Sequence, residues 1–311
     1  MSKVKKNILF FLILFLSLLS FSCEPKKSTT TIGELNVQVD EGILPVVKKE
    51  ASEFMRLNTE SKITTQVKTT NEVIADLING NAKTIVVGRD FSKEENDVIA
   101  NNKLEIKKNK FALDGIGVIV NNSNPVKKLN FNELKRIFTG ETAEWKELDG
   151  DNKDLYSGKI KVFITRKNAS IHDIFKEKVL SGADFSGKST ICTTSVQMLN
   201  EIKGNPEAIG FISMAWITVN ADTLDSTVKA LKIASVDPSK EYIGSYVGLH
   251  QAYIADKTYP LVTESYIMST DFSMNVSVGL ISFMLSYDGQ RIVLNSGLVP
   301  VTQPVRIIEL N

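Results

Sequence analysis

Apolar residues change their spacing repeatedly along this chain, and each change marks an element. Val37 to Val39 gives a short strand signal. Leu44, Val47, Ala51, Phe54 and Met55 then recur at helical spacing, with Asp40 near the start. Ile63 to Val67 alternates as a strand does. Thr69 and Glu72 have the spacing of a capping box, Val73, Ile74, Leu77 and Ile78 extend one helical face, and Gly80 ends it. The β-branched run 84–87 predicts a buried strand. This β-α-β-α-β order implies a largely parallel sheet covered by helices.

The pattern continues beyond residue 110. Residues 111–120 predict a longer strand containing Gly115 and Gly117, and 121–125 are a turn by composition. Asn130 and Glu133 suit a helix cap, Leu134, Ile137 and Phe138 an inner face, and Gly140 a helix end. A strand follows at 161–165, then a helix from Ser170 with Ile174, Phe175 and Val179 inward. Another helix starts near Ser195, with Leu199 and Ile202 inward, and 206–212 leads into a strand. An apolar helix spans 276–285, and 292–299 closes the body. The fold class is α/β, with a second α/β unit after the first.

The front of the chain departs from this pattern. Lys3, Lys5 and Lys6 precede an apolar run at 8–19 that only Ser17 interrupts. Such a run is short for a bilayer span, and its basic flank predicts a signal peptide over 1–22. The run ends in Ser20-Phe21-Ser22-Cys23, which resembles the lipobox of bacterial lipoproteins. That resemblance implies a lipid, palmitate included, on Cys23 and an exported protein held in the cell envelope by its anchor. Residues 26–31 are polar, so 23–34 is expected to be a lipidated N-terminus and flexible linker, with the body at 35–311.

Charge and composition remove several classes. The formal charge is +1, and loss of the three signal lysines makes it 1 − 3 = −2. No strongly basic patch stands out, which argues against nucleic acid. His172 and His250 are the only histidines and no paired-cysteine spacing exists, so neither a metal nor another cofactor is expected. With Cys23 lipidated, Cys192 has no disulfide partner and is expected to be a buried, inert thiol.

Helix starts after strands are the candidate binding positions, because free backbone N–H groups there favour an anion. They fall at 40–43, 69–70, 169–172 and 194–195. Arg89 and Arg166 each follow a strand, where a guanidinium can grip an oxyanion through two parallel bonds. The ordinary alternative makes Thr69, Ser170 and Ser195 helix caps, each worth about 1 kcal/mol, and the arginines surface ion pairs. Asp114, amid apolar and glycine residues, needs donors. It could accept from Arg166 or from a protonated ligand. His172 could be a solvated first-turn residue or a ligand, and Trp145 and Trp216 are expected to pack.

Several stretches together carry a resemblance. Phe111-Ala-Leu-Asp-Gly-Ile-Gly-Val-Ile-Val-Asn-Asn-Ser-Asn-Pro125 resembles the interlobe segment of periplasmic phosphate-binding proteins of ABC transporters. Leu134-Lys-Arg-Ile-Phe-Thr-Gly140 with Trp145-Lys146, Ala208-Ile-Gly-Phe-Ile-Ser213 and Tyr259-Pro-Leu261 are also similar. So are Phe283-Met-Leu-Ser-Tyr-Asp-Gly-Gln290 and Gly297-Leu-Val-Pro300. The resemblance implies a two-lobed, periplasmic-binding-protein-like type II fold. Each lobe would be a mixed, largely parallel sheet flanked by helices, joined by a hinge. Lobe one would take about 35–110 plus 259–311, and lobe two about 111–258. It maps ligand contacts to Asp40, Glu41, Gly42 and Ile43, to Thr69 and Thr70, and to Gly88 and Arg89. Asp114, Arg166, Ser170, Ile171 and His172 complete the set.

Two departures from the family pattern stand out. The first loop holds Asp40 and Glu41 where serine, threonine and glycine are usual. The stretch Arg166-Lys-Asn-Ala-Ser-Ile-His172 lacks the usual Ser-Gly-Thr. Acidic side chains there would repel a dianion unless they turn outward or accept from a protonated oxygen. The resemblance implies a monomeric binder, not an enzyme and without catalytic residues, that delivers inorganic phosphate to an ABC permease. Another oxyanion, or a tethered sensor that kept the fold but lost phosphate, are the alternatives.

Overall fold

The computed structural model describes residues 29–149, 152, 158–219, 227–237 and 242–302. The expected signal peptide and the anchor at Cys23 lie outside the described residues. The body opens at Gly33, inside the stretch expected to be linker, because Gly33 already pairs with Ser61.

The first unit runs β1 (Gly33–Asp40), α1 (Leu44–Leu57), β2 (Ser61–Lys68), α2 (Thr70–Ile78), β3 (Thr84–Val87) and α3 (Lys93–Asn101). The pattern predicted all of these except α3. That helix buries none of its residues, so it has no apolar stripe to read. Its one sequence signal was the capping box of Ser92 and Glu95.

Strand β4 (Lys107–Asn121) then crosses to the second unit. There follow β5 (Lys128–Asn130), α4 (Phe131–Thr139), β6 (Lys161–Thr165), α5 (Ser170–Lys178), β7 (Thr190–Cys192), α6 (Ser195–Gly204), β8 (Ala208–Ser213) and α7 (Met214–Val219). Short strands β9 (Val228–Ala230), β10 (Lys232–Ala234), β11 (Val236–Asp237) and β12 (Tyr242–Ile243) precede helix α8 (Gln251–Ala255). The chain returns through β13 (Val262–Ser269) and ends in α9 (Val276–Leu285), α10 (Tyr287–Asn295) and β14 (Val299–Pro300).

One sheet joins the two units in the order β2-β1-β3-β13-β4-β8-β6-β7. The outer strands of both units pair in parallel, while β13 and β4 run antiparallel to their neighbours. The result is two lobes, each a mostly parallel sheet under helices, joined at the middle strands. Strand β4 pairs with β13 as far as Gly115 and with β8 from Ile116 onward. The change of neighbour therefore falls at 115–116. Helix α8, expected in lobe two, bonds instead to the C-terminal part of lobe one: the Gln251 side chain donates to the Leu294 and Leu298 carbonyls.

The crossing is tightly built. Ile116 N–H donates to the Leu261 carbonyl, and the buried Tyr259 hydroxyl donates to the Ile116 carbonyl at 2.8 Å. A side chain at Gly115 or Gly117 would meet Leu249 within 2.8 Å, so glycine allows this close approach. In lobe two, Phe175 stacks on Phe211 at 4.2 Å and Phe138 meets both rings edge-on. Such pairs add about 0.5–1.5 kcal/mol each beyond burial, and they fix α5 with its first turn toward the other lobe.

Candidate functional site

Parallel strands deliver their carboxyl ends to one side of a sheet, and both lobes turn that side toward the other. From lobe one come the ends of β1, β2 and β3, carrying Asp40 to Gly42, Thr69 and Thr70, and Gly88. From lobe two come the ends of β6 and β7, carrying Arg166 to Ser170 and Cys192 to Ser195. The cleft between them is lined by Asp40, Lys68, Thr69, Thr165, Arg166 and Ser195, among others, and encloses only about 20 Å³. That is on the order of one water.

Asp40 sits at its centre. Its carboxylate is buried and does not turn outward. Oδ2 accepts from the Thr70 hydroxyl at 2.6 Å, from the Ser170 hydroxyl at 2.6 Å and from the Gly88 N–H at 3.4 Å. Oδ1 accepts from the Gly42 N–H at 3.2 Å. The Ser170 N–H, free at the start of α5, donates to Thr70 Oγ1 at 2.8 Å. Gly88 is required here: an added Cβ would lie 2.6 Å from Ser170 Oγ and 3.3 Å from Asp40 Oδ2.

Glu41 repeats the arrangement toward α6. Its carboxylate accepts from the Ser195 N–H at 2.9 Å and the Ser195 hydroxyl at 2.8 Å. Burial pushes the Glu41 carboxyl up; the Ser195 bonds pull it back, the Asp40 carboxylate adds to the push and Arg166 opposes it. The Trp216 indole N–H donates to the Glu41 carbonyl at 2.9 Å. Asn168, at a φ of 70° in the left-handed region, offers its carbonyl to the Asn71 N–H. These bonds all link lobe one to lobe two, so the cleft is closed.

The remaining expected contacts divide into two groups. Thr69 and Ile171 line the cleft, as does Arg166. Thr69 also forms the capping box with Glu72, whose Oε2 accepts from its hydroxyl and N–H. Arg166 makes no hydrogen bond or ion pair within 4 Å among the described residues, and its charge acts on Glu41 and Glu72. Thr165 Oγ1 is buried on the same wall without a partner.

The others are engaged elsewhere. Arg89 is not free to grip an anion: its guanidinium holds Glu95 through two bonds and also donates to Asn71 and the Asp90 carbonyl. Asp114 faces neither Arg166 nor the cleft; its carboxylate accepts from the Ser213 hydroxyl at 2.5 Å and the Gly115 N–H at 2.7 Å. Burial pushes it up to about 7, against bonds from Ser213 and the backbone N–H groups of Gly115, Met214 and Ala215. It therefore serves the start of α7. His172 is buried beside Phe185 with Nδ1 against Asp173, and Ile43 is in the core. Cys192 is a free, buried thiol, as expected.

Sequence reasoning reaches one further participant only as a helix start and misses another. Ser195 stands at the candidate start 194–195, with a cap as its ordinary alternative; in the structure Thr194 caps α6 and Ser195 meets Glu41. Trp216 was assigned to packing, whereas its indole N–H crosses the cleft. Neither partner is near in sequence, so only the helix start at 194–195 pointed that way.

Two lobes joined at the middle strands, with helix starts from both facing one polar cleft, define the two-lobed fold of periplasmic binding proteins. The PBP superfamily domain matches residues 24–286, and the chain belongs to that family. Among curated proteins it is 24% identical to the phosphate-binding protein PstS of Bacillus subtilis, covering 96% of this chain and 95% of that one. It is 22% identical to PstS of Borreliella burgdorferi over 96% and 99%. Among solved structures it resembles a putative phosphate ABC transporter substrate-binding protein with bound phosphate from Clostridium perfringens. The TM-score is 0.73 at 24% identity, covering 86% of this chain and 100% of that one. An ABC-type phosphate transport receptor from Vibrio cholerae gives a TM-score of 0.62 at 20% identity, over 86% and 100%. No helix among the described residues is long and apolar enough to cross a membrane.

Proposed function

We propose that this protein is an extracytoplasmic lipoprotein, tethered through Cys23, that captures inorganic phosphate in the interlobe cleft and presents it to an ABC importer. The observation that supports this best is the convergence of the Thr70 and Ser170 hydroxyls with the Gly42 and Gly88 N–H groups on one oxyanion position. Arg166 stands on the same cleft wall with its guanidinium uncommitted to any hydrogen bond among the described residues. Donors drawn from several loops and both lobes suit a small tetrahedral anion that must be fully desolvated. The names of the PstS relatives point to the same solute. The Ser170 and Ser195 hydroxyls bond to the Asp40 and Glu41 carboxylates, and we read these pairs as closing contacts, so that the reading is binding without catalysis. A tether raises the effective concentration of the binder near its permease.

A second reading, a sensor or interaction lipoprotein without a solute, is favoured by one observation: Asp40 and Glu41 already satisfy the donors. Calorimetry of the protein with phosphate and with sulfate separates the two. Heat with phosphate is expected, and Arg166→Ala should weaken it by about 10- to 100-fold, the worth of one charge-assisted contact. No heat with either anion, in folded and ligand-free protein, would sink the transport reading. Unchanged affinity in Arg166→Ala would remove Arg166 from the site.

A further inference from the structure

We propose that Asp40 is a tethered occupant of the oxyanion position, which holds the lobes closed without solute, so that an incoming anion binds by displacing it. The identity of the displacing anion rests on the phosphate reading above; the self-closure does not.

The donor geometry carries the inference. A hydroxyl has one proton to give, and those of Thr70 and Ser170 are both directed at Asp40 Oδ2. The Gly88 and Gly42 N–H groups complete the same carboxylate. Asp40 therefore occupies the position that an external oxyanion would use. It arrives there by register: it is the last residue of β1, paired with Lys68, and its backbone is extended at φ −62° and ψ 132°. One carboxyl-bearing methylene then suffices to reach a hydroxyl on the opposite lobe.

Sharing the position is not possible. A tetrahedral oxyanion has five heavy atoms, and the enclosed space is about 20 Å³. Glu41 places a second carboxylate beside the first and binds Ser195 on lobe two. An incoming anion would have to enter between two like charges in a buried setting, where repulsion is poorly screened. Parting of the lobes takes Ser170 from Asp40 and Ser195 from Glu41, and the incoming anion must then take the Thr70, Gly42 and Gly88 donors that Asp40 holds within its own lobe. Closure before binding also lowers apparent affinity, since solute binds only the open fraction.

The test uses the full chain in detergent with spin labels at Lys93→Cys and Lys188→Cys, exposed positions on opposite lobes. Cys192 is buried and stays unlabelled. Without phosphate, the parent protein should show one short distance that phosphate leaves unchanged. Asp40→Ala should show a longer, broader distance that shortens on adding phosphate, and should bind phosphate at least ~10-fold more tightly by calorimetry. Asp40→Asn keeps the shape without the charge, and serves if Asp40→Ala does not fold; it too should populate the longer distance. The proposal is overturned by a parent protein that is open without phosphate, by a variant that stays closed, or by a variant that binds phosphate no better. If no form gives heat with phosphate, the phosphate reading fails, while the distances still decide whether Asp40 closes the cleft.

Discussion

A carboxylate in this protein is defined by what surrounds it rather than by its position in a motif. Glu50 lies on the inner face of α1 with both oxygens buried and unpartnered, and burial pushes its carboxyl up to about 9. The folded protein thus keeps a proton that the unfolded chain loses above about 4.5. Stability from this group is full below that pH and is lost as pH rises toward about 9. Asp114, raised to about 7, acts with the same sign over a lower window. Unfolding free energy measured in denaturant should fall between about pH 7 and 9 by up to roughly 1.4 kcal/mol per pH unit. Glu50→Gln should abolish that fall, and a slope that persists in the variant would show that another group carries it. Asp114→Ala leaves the Ser213 hydroxyl and the Gly115 N–H without their acceptor, and should cost about 2–3 kcal/mol in the same experiment. A loss below 0.5 kcal/mol would mean that solvent takes over that role.

Elements here owe their positions to a few close approaches. Helices α9 and α10 meet at Ser286, where both the Ser286 N–H and its hydroxyl donate to the Phe283 carbonyl. The turn is so tight that a Cβ at Gly289 would lie 2.2 Å from that carbonyl oxygen and 2.7 Å from the Met284 Cα. Backbone cannot give way as a side-chain tip can. Gly289→Ala should therefore destabilise by about 1–3 kcal/mol, as overpacking does. Gly204→Ala, at the end of α6 with open space around it, should be neutral or stabilising. Equal melting temperatures for the two variants would refute the contrast. The Tyr287 to Gln290 stretch was legible in sequence as a family pattern, but the reason for its glycine is this packing. Helix α3 illustrates the opposite case, since a helix that buries nothing leaves no periodicity to read.

Across the whole molecule, the lobes are joined by the sheet and held shut by the bonds of the first loop. The lobes join where β4 leaves β13 for β8, with Tyr259 bonded to the Ile116 carbonyl beside it. The polar contacts across the cleft among the described residues are few: Asp40 and Thr70 to Ser170, Asn71 to Asn168, and Glu41 with Ser195 and Trp216. Each contributes only about 1 kcal/mol or slightly more, beside apolar packing that runs through both lobes in one core cluster. Changing Asp40 or Glu41 should accordingly move the lobes far more than it moves the melting temperature.

The sequence by itself determined the α/β alternation, because helix and strand spacings are local and the buried faces repeat along the chain. Capping boxes at Thr69 and Asn130 were equally local and were found in the structure where their spacing put them. It also brought Asp40, Thr70, Arg166 and Ser170 into one set of candidates through the helix starts that follow strands. What it could not decide was which donor meets which acceptor. Asp40 lies 30 residues from Thr70 and 130 from Ser170, and only the closed arrangement of the two lobes brings their hydroxyls onto its carboxylate. The same arrangement takes Arg89 to Glu95 and Asp114 to Ser213, away from the cleft. A hydrogen bond depends on angstrom-scale placement, which periodicity does not encode and tertiary packing does.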